Sequence, residues 1–216
     1  MKKIILAITL LFSTIITASA QDISTVFLTM PENLVFGLDA AGKDKLLSNP
    51  GDTAGVSVNR SGMEAFGEVT RVGISHDYIS LQTSESGMIQ IKLLPLINDS
   101  QIICVVKTVC GKACDSQIQF YTTKWIPILQ GDLFPKINKD TFIIADTDRN
   151  SQEFRNAYAA LDMNPITIEL SADDTSIEAS YDIESYLTSD DYKMIEPFLI
   201  ENPKKYIWDK LSFKPE

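Results

Sequence analysis

The period of the hydrophobic residues changes near residue 66, and this change constrains the fold more than any other feature. Before that point apolar residues recur at helical spacing, whereas from residue 66 to residue 125 they alternate with polar residues. Alternation is typical of β-strands, because successive side chains point to opposite faces of a sheet. Polar turn segments such as residues 84–87 separate the strands. The pattern predicts an antiparallel meander of four or five strands.

Two parts of this meander differ in how they should be buried. In residues 78–82 and 88–93 apolar and polar residues alternate, which predicts a hairpin with one face in water. Residues 102–106 are apolar at every position, which predicts a central strand covered on both faces. Residues 118–125 are expected to return as its partner strand.

Helices and a second hairpin are predicted outside the meander. Thr29 and Glu32 have the spacing of a capping box, which predicts a helix that starts at Thr29. Helical spacing continues to Lys45, but Gly37 and Gly42 interrupt it, so one helix and two short helices are both expected alternatives. Residues 151–161 and 188–199 read as short helices, residues 166–183 as a hairpin, and residues 206–213 as a closing strand. We therefore predict an α+β fold, in which two antiparallel β-sheet units flanked by short helices pack as one compact body. The units are the meander with its helix at 21–135 and the hairpin unit at 136–216.

The amino terminus has the three parts of a secretory signal peptide. Lys2 and Lys3 are followed by an apolar run over residues 4–16 and by small residues that end at Ala20. We expect cleavage after Ala20 and a periplasmic or secreted mature chain. The apolar run is shorter than the roughly 20 residues that cross a bilayer, and no other segment is apolar enough, so no membrane span is expected after cleavage.

The charge of the chain is strongly negative. The formal charge is −10, and removal of Lys2 and Lys3 with the signal peptide makes it −12. An acidic surface repels phosphate backbones and anionic lipids, and no basic patch interleaved with aromatic residues offsets it. Nucleic acid is therefore not expected as a partner. Solubility alone is the alternative explanation for the excess of acidic residues.

Three cysteines suggest one disulfide. Cys110 and Cys114 flank a three-residue turn between two predicted strands, and an oxidising compartment permits them to join. Closing this hairpin would stabilise the fold by about 2 kcal/mol. Cys104 is then expected as a buried free thiol that faces Phe120 across the strand pair. The spacing is not that of a C-x-x-C redox motif.

Aromatic residues near the carboxyl end are the best candidates for a binding surface. Tyr206 and Trp208 share one face of the predicted closing strand, and Trp125 ends the meander. Tyrosine and tryptophan supply the rigid area that binding sites favour. The alternative is that the three side chains pack beneath a helix.

Motifs for catalysis and metal binding are incomplete. His76 is the only histidine, and its neighbours Ser75 and Asp77 would point away from it, so no catalytic residue is assigned. A zinc site or other cofactor is not expected, because such sites take several nitrogen or sulfur ligands. The carboxylate pairs at residues 173–174 and 190–191 fit a turn and a helix cap better than an acid/base pair.

Residues 146–150 imitate the first half of a calcium loop. Asp146, Asp148 and Asn150 alternate as oxygen ligands do, but Ser151 and Ala157 stand where the loop requires glycine and glutamate. A loop in which Asn150 or Ser151 caps the next helix is the expected structure.

Several stretches resemble a family of secreted Bacteroidetes proteins with a domain of unknown function. They are DYISLQ at 77–82, KLLPL at 92–96, ICVVKT at 103–108, FYTTKW at 120–125 and YIW at 206–208. The resemblance spans nearly the whole mature chain and implies export, but it brings no activity or catalytic residue. It also implies a possible O-glycosylation site at Thr53, since proteins of that phylum can be modified at Asp-Thr/Ser before a small residue. An ordinary polar turn is the alternative there.

Three hypotheses for the function follow. The first is a secreted or periplasmic non-catalytic module that binds an envelope protein or glycan through a sheet edge or an aromatic face. The second is a carboxylate-based hydrolase, which requires two facing carboxylates in a pocket. The third is a calcium-stabilised structural protein, which requires oxygens that converge at residues 146–150.

Overall fold

A computed structural model describes residues 21–49, 51 and 55–216 of the chain, and for Gln130 the backbone alone. The four α-helices of this part are α1 (Ile23–Leu28), α2 (Ala40–Leu47), α3 (Gln152–Tyr158) and α4 (Ser189–Ile195). Its strands are β1 (Val56–Asn59), β2 (Glu68–Ile74), β3 (Tyr78–Gln82), β4 (Gly87–Pro95), β5 (Gln101–Cys110), β6 (Cys114–Thr122), β7 (Pro127–Ile128), β8 (Ile166–Leu170), β9 (Ser176–Tyr181), β10 (Lys204–Trp208) and β11 (Phe213–Pro215). The predicted signal peptide and Thr53 lie outside the described residues.

The strands form two antiparallel sheets, and the α+β prediction is confirmed. The first sheet has seven strands in the order β1 to β7, and the second has four in the order β11-β10-β9-β8. The meander has more strands than predicted, because β1 lies before the alternating region and the short β7 after it. The predicted closing strand is instead the pair β10 and β11, since residues 209–212 form a tight turn in which Asp209 Oδ1 accepts the N–H groups of Leu211 and Ser212.

The central strands of the seven-stranded sheet are buried on both faces. One face packs with α1 and α2, through residues such as Ile79, Ile91 and Val105. The other face packs against the second sheet, through residues such as Cys104, Val106 and Phe120. The predicted hairpin with a wet face is therefore wrong, because Gln90 and Lys92 lie under the second sheet and are buried.

Helix ends are set by side-chain caps. Asp22 and Asp39 accept backbone N–H groups at the starts of α1 and α2. The predicted helix start at Thr29 is wrong, because α1 ends there and the Thr29 hydroxyl donates to the carbonyl of Val26. Ser151 caps α3 and Thr188 caps α4, as the sequence predicts.

Helices α3 and α4 pack together in a third cluster, beside the second sheet, around residues such as Phe154 and Ile195. None of the helices in the described part of the chain is both long enough and apolar enough to cross a membrane.

Candidate functional site

Tyr206 and Trp208 lie in the core between the two sheets. Both side chains are 4 % exposed, and they pack among residues that include Phe134 and Phe213. The indole Nε1 of Trp208 donates to the carbonyl of Pro95 at 2.7 Å, which links the second sheet to the first. The two residues share a strand face, as predicted. The prediction that this face is accessible is wrong, because it is the inner face of the second sheet. Ile207 is the outward neighbour, at 40 % exposure.

Trp125 is also a structural residue. Its side chain is 7 % exposed, and its indole Nε1 donates to the carbonyl of Val26 at 3.1 Å. The residue occupies the left-handed region at φ 61°, which is uncommon for a bulky side chain. It therefore anchors the β6–β7 turn to α1 and offers little surface to a partner.

Ser75, His76 and Asp77 do not form a catalytic triad. The Ser75 hydroxyl donates to Asp77 Oδ1 at 3.1 Å, and the exposed His76 is held by its carbonyl, which accepts the N–H of Ile23. Asp77 also accepts from Lys92 Nζ at 3.1 Å. The Asp77 carboxylate is thus shared by Ser75 and Lys92, and among the described residues no hydrogen bond joins the His76 ring to Ser75 or Asp77.

Lys92 ties the two sheets together. Its side chain is 1 % exposed, and its Nζ donates to the carbonyl of Ala172 in the β8–β9 turn at 3.2 Å as well as to Asp77. Next to it, Gln90 donates to the Tyr78 hydroxyl at 2.9 Å and accepts the N–H of Leu170 at 3.2 Å. Sequence reasoning missed this network, because both residues alternate with apolar ones as surface residues do.

The carboxylate pairs singled out in the sequence act locally. Asp174 accepts the N–H of Ser176 in the β8–β9 turn, and the hydrogen bonds from Ser176 lower the pKa of the Asp174 carboxyl. Asp191 lies in the first turn of α4 and accepts from the Thr188 hydroxyl at 2.7 Å. The predicted turn and cap are therefore confirmed.

The side chains of residues 146–150 do not converge. Asp146 and Asp148 are exposed, Asp148 Oδ1 accepts the N–H of Asn150, and Arg149 pairs with Asp140 at 3.1 Å. Within the described ranges no cluster of three or more histidine, cysteine or acidic side chains is arranged to hold a metal ion.

One facing pair of carboxylates is present that the sequence did not single out. Glu169 of β8 lies directly opposite Glu178 of β9, on the outer face of the second sheet. Lys205 of β10 is the next residue in the same row. Both glutamates are exposed, and together with Asp174 and Lys205 they line a depression of about 260 Å³.

The disulfide between Cys110 and Cys114 is confirmed, and it closes the β5–β6 hairpin. Cys104 is free and fully buried, and it lies opposite Phe120 as predicted. Burial raises the pKa of the Cys104 thiol well above its ordinary value, so the thiol stays protonated and unreactive in the folded chain.

Thiol counting checks this assignment. In the unreduced folded protein we expect no reaction with a thiol reagent, and after denaturation without reductant we expect one thiol per chain. Three thiols after denaturation would contradict the disulfide, and rapid reaction of the folded protein would contradict the burial of Cys104.

A groove of about 400 Å³ runs beside β6. One wall is β6 itself, the second is the start of β8, and the third is the segment 134–137. The single acidic and single basic side chain of the lining, Asp115 and Lys136, balance in charge. The apolar lining residues include Ile118 and Ile137. The groove therefore has both apolar and polar walls and little net charge.

The edge of β6 that faces this groove has unpaired backbone groups. Strand β7 pairs only with Phe120 and Tyr121. The N–H of Thr122 donates to the carbonyl of Ile126, directly before β7. Because backbone direction alternates along a strand, the N–H and C=O groups of Ser116 and Ile118 point to the same side. Among the described residues none forms a hydrogen bond with these four groups. A free strand edge of this kind is a template for another extended chain.

Side chains at the ends of the groove hold β8 in place. Ile166 and Ile168 of β8 donate their N–H groups to Asp115 Oδ1 at 3.3 Å and to Ser116 Oγ at 3.0 Å. Thr167 donates to the carbonyl of Cys114, beside the disulfide. The edge of β8 is thus satisfied by side chains, whereas the edge of β6 stays open.

The comparisons with known proteins give a family and a structural relative. A family model described as "Protein of unknown function (DUF3256)" matches residues 15–213. A solved structure of a domain of an uncharacterized protein from Porphyromonas gingivalis W83 superposes with a TM-score of 0.80 at 27 % identity. The match covers 91 % of this chain and 100 % of that chain. A search of curated proteins found no match. The chain belongs to the DUF3256 family of proteins of unknown function.

Proposed function

We propose that this protein is a secreted or periplasmic, non-catalytic module of the cell envelope that binds an extended segment of another protein along β6. The signal-like amino terminus and the disulfide between Cys110 and Cys114 support the compartment, because disulfides persist where the environment is oxidising.

The open edge of β6 carries the proposal. Ser116 and Ile118 offer N–H and C=O groups at the spacing with which a neighbouring strand pairs. In strand addition these main-chain groups supply affinity, while pockets beside the edge select side chains. The groove walls at Phe134, Ile137 and Asn164 are placed to act as such pockets. A glycan lacks the alternating donors and acceptors of a polypeptide, so a protein segment fits this edge better.

Buried charged side chains support a non-catalytic role. The amine of Lys92 donates to Asp77 and to the carbonyl of Ala172. The guanidinium of Arg71 donates to the carbonyls of Leu46, Ser48 and Asn49. These groups hold loops and helix ends rather than face a cavity. The Glu169–Glu178 pair, in its depression of about 260 Å³, is the feature that favours the hydrolase alternative, but both carboxylates are exposed to water and Lys205 lies beside them.

A pair of substitutions at one position tests strand addition. Eight-residue peptides selected from a displayed library against the mature chain serve as the probe. We expect Ser116→Pro to weaken peptide binding about tenfold, because proline removes the edge N–H that would pair with the peptide. Proline is tolerated where the N–H of an edge strand faces outward. Ser116→Ala loses the hydroxyl but keeps the N–H, so we expect a change below about threefold. Affinities are measured by fluorescence polarisation.

Control variants separate this edge from the rest of the surface. His76 lies in the β2–β3 turn, and we expect the His76→Ala variant to bind the peptide as the unaltered chain does. Circular dichroism checks the fold of each variant. Equal affinity of the Ser116→Pro and Ser116→Ala variants would contradict strand addition at β6.

A further inference from the structure

A second open cleft lies where the β1–β2 connection meets the β3–β4 turn. Its lining consists of residues 65–68 and 84–86 with Thr70 and Gln82, around a volume of about 680 Å³. The Phe66 side chain stands in this cleft and is 70 % exposed. An aromatic ring this exposed in a cleft is unusual, because folded chains place most phenylalanines inside.

Two more apolar side chains extend the exposed surface around Phe66. Met63 is 39 % exposed, and its carbonyl accepts the N–H of Phe66 at 3.0 Å. Phe36 is 63 % exposed and belongs to the loop of Gly37, where a Cβ would lie 3.4 Å from Met63 Cβ. The segments that carry these three exposed apolar side chains therefore lie close together, and we call the three residues the Phe66 patch. Patches of this kind mark interaction sites when polar residues surround them.

The border of the Phe66 patch is acidic. Glu68 and Glu85 line the cleft on either side, and Glu64 adjoins it, and all three are exposed. No lysine or arginine is present among the residues that line the cleft. Arg60 lies nearby, but it is buried and its guanidinium donates to the carbonyls of Phe36 and Thr83. Within the part of the chain that the structure describes, no basic side chain forms an ion pair with Glu68 or Glu85.

The disulfide supports one wall of the cleft. Cys110 donates its N–H to the carbonyl of Ser86 at 2.8 Å, which fixes the β3–β4 turn against the β5–β6 hairpin. The turn that presents Glu85 is thus attached to the cross-linked end of the sheet.

We propose that this cleft binds an arginine side chain of a basic protein segment. A guanidinium stacks on an aromatic face and pairs with carboxylates, and Phe66, Glu68 and Glu85 supply both. The apolar neighbours Phe36 and Met63 then contact the residues that flank the arginine. Charge selects this occupant over a neutral glycan, because the lining holds two carboxylates and no lysine or arginine, and carboxylates attract a cation. The inference goes beyond strand addition, since it concerns another surface and another partner chemistry.

Nuclear magnetic resonance titration tests the proposal. The probe is acetyl-Gly-Arg-Leu-Arg-Gly-amide, and the matched control peptide carries citrulline, the neutral isostere, in place of each arginine. We expect the arginine peptide to shift the amide signals of Gly67, Glu68 and Glu85, and to bind at least fivefold more tightly than the citrulline peptide. Equal binding of the two peptides, or no shift at these amides, would overturn the proposal.

Matched variants locate the effect. Phe66→Ala, and separately Glu68→Gln with Glu85→Gln, should each weaken binding of the arginine peptide about fivefold. Leu211→Ala removes another exposed apolar side chain, and Glu169→Gln with Glu178→Gln makes the same change in charge elsewhere. These controls should leave the affinity unchanged, and an equal loss in them would show unspecific attraction to an acidic protein. Ser116→Pro should not affect this titration, so a failure of the arginine proposal can be told apart from a failure of the strand-addition proposal.

Discussion

The Trp208→Ala variant is expected to unfold with a free energy about 4 kcal/mol lower than that of the unaltered chain. Trp208 is 4 % exposed and packs against Phe213 with ring centroids 5.1 Å apart. Its removal leaves a cavity between the sheets and leaves the carbonyl of Pro95 without its donor. Urea denaturation followed by circular dichroism measures the change.

Two variants separate the contributions to this loss. Trp208→Phe retains an aromatic ring but not the hydrogen bond, so we expect about half of the loss. Ile207→Ala lies on the same strand with its side chain on the outer face, and it should cost less than about 1 kcal/mol. An unchanged free energy of unfolding for Trp208→Ala would contradict the position of Trp208 in the core and would favour a surface position for its side chain.

The Lys92→Met variant is expected to lose about 3 kcal/mol of unfolding free energy. The side chain is buried, and its replacement removes the cation that pairs with Asp77 and donates to the carbonyl of Ala172, so that, of the described side chains, only the Ser75 hydroxyl still donates to Asp77. Methionine keeps most of the volume, so the loss reports the polar contacts rather than a cavity. Lys205→Met is the matched control, because Lys205 pairs with Glu216 at 3.9 Å on the surface, and we expect a loss below about 0.5 kcal/mol.

The Lys92→Met variant also distinguishes a structural role of Lys92 from a role in peptide binding. If Lys92 only joins the sheets, Lys92→Met should bind the selected peptide as the unaltered chain does at temperatures where both are folded. An unchanged unfolding free energy would contradict the structural role of Lys92.

The strands were largely predictable from the sequence, but their environment was not. Alternation identified both hairpins and the shared face of Tyr206 and Trp208, because side-chain direction is a local property of a strand. What covers each face is decided by distant segments. Gln90 and Lys92 are polar and alternate with apolar residues, yet they lie under β8, which is about 80 residues away in the chain.

The first helix shows a second limit of local reasoning. Thr29 and Glu32 have capping-box spacing, and this spacing alone does not exclude a helix that ends at the same threonine. Asp22, the cap that α1 uses, stands directly before Ile23, from which apolar residues recur at helical spacing, and was an available signal.

The candidate binding surfaces could not be predicted because they depend on where pairing stops. The free edge of β6 exists because β7 is only two residues long, and the Phe66 patch exists because loops from distant positions meet. Cys110 and Cys114 were predictable, since their pairing depends only on the hairpin between them.

Amide hydrogen exchange at Ser116 and Ile118 tests strand addition at β6 most directly. With the selected peptide at saturation, we predict that both amides exchange at least tenfold more slowly, because each becomes hydrogen-bonded to the added strand. The amides of β1, at the opposite edge of the same sheet, should keep their rates. Unchanged exchange at Ser116 and Ile118 while the peptide is bound would contradict the account.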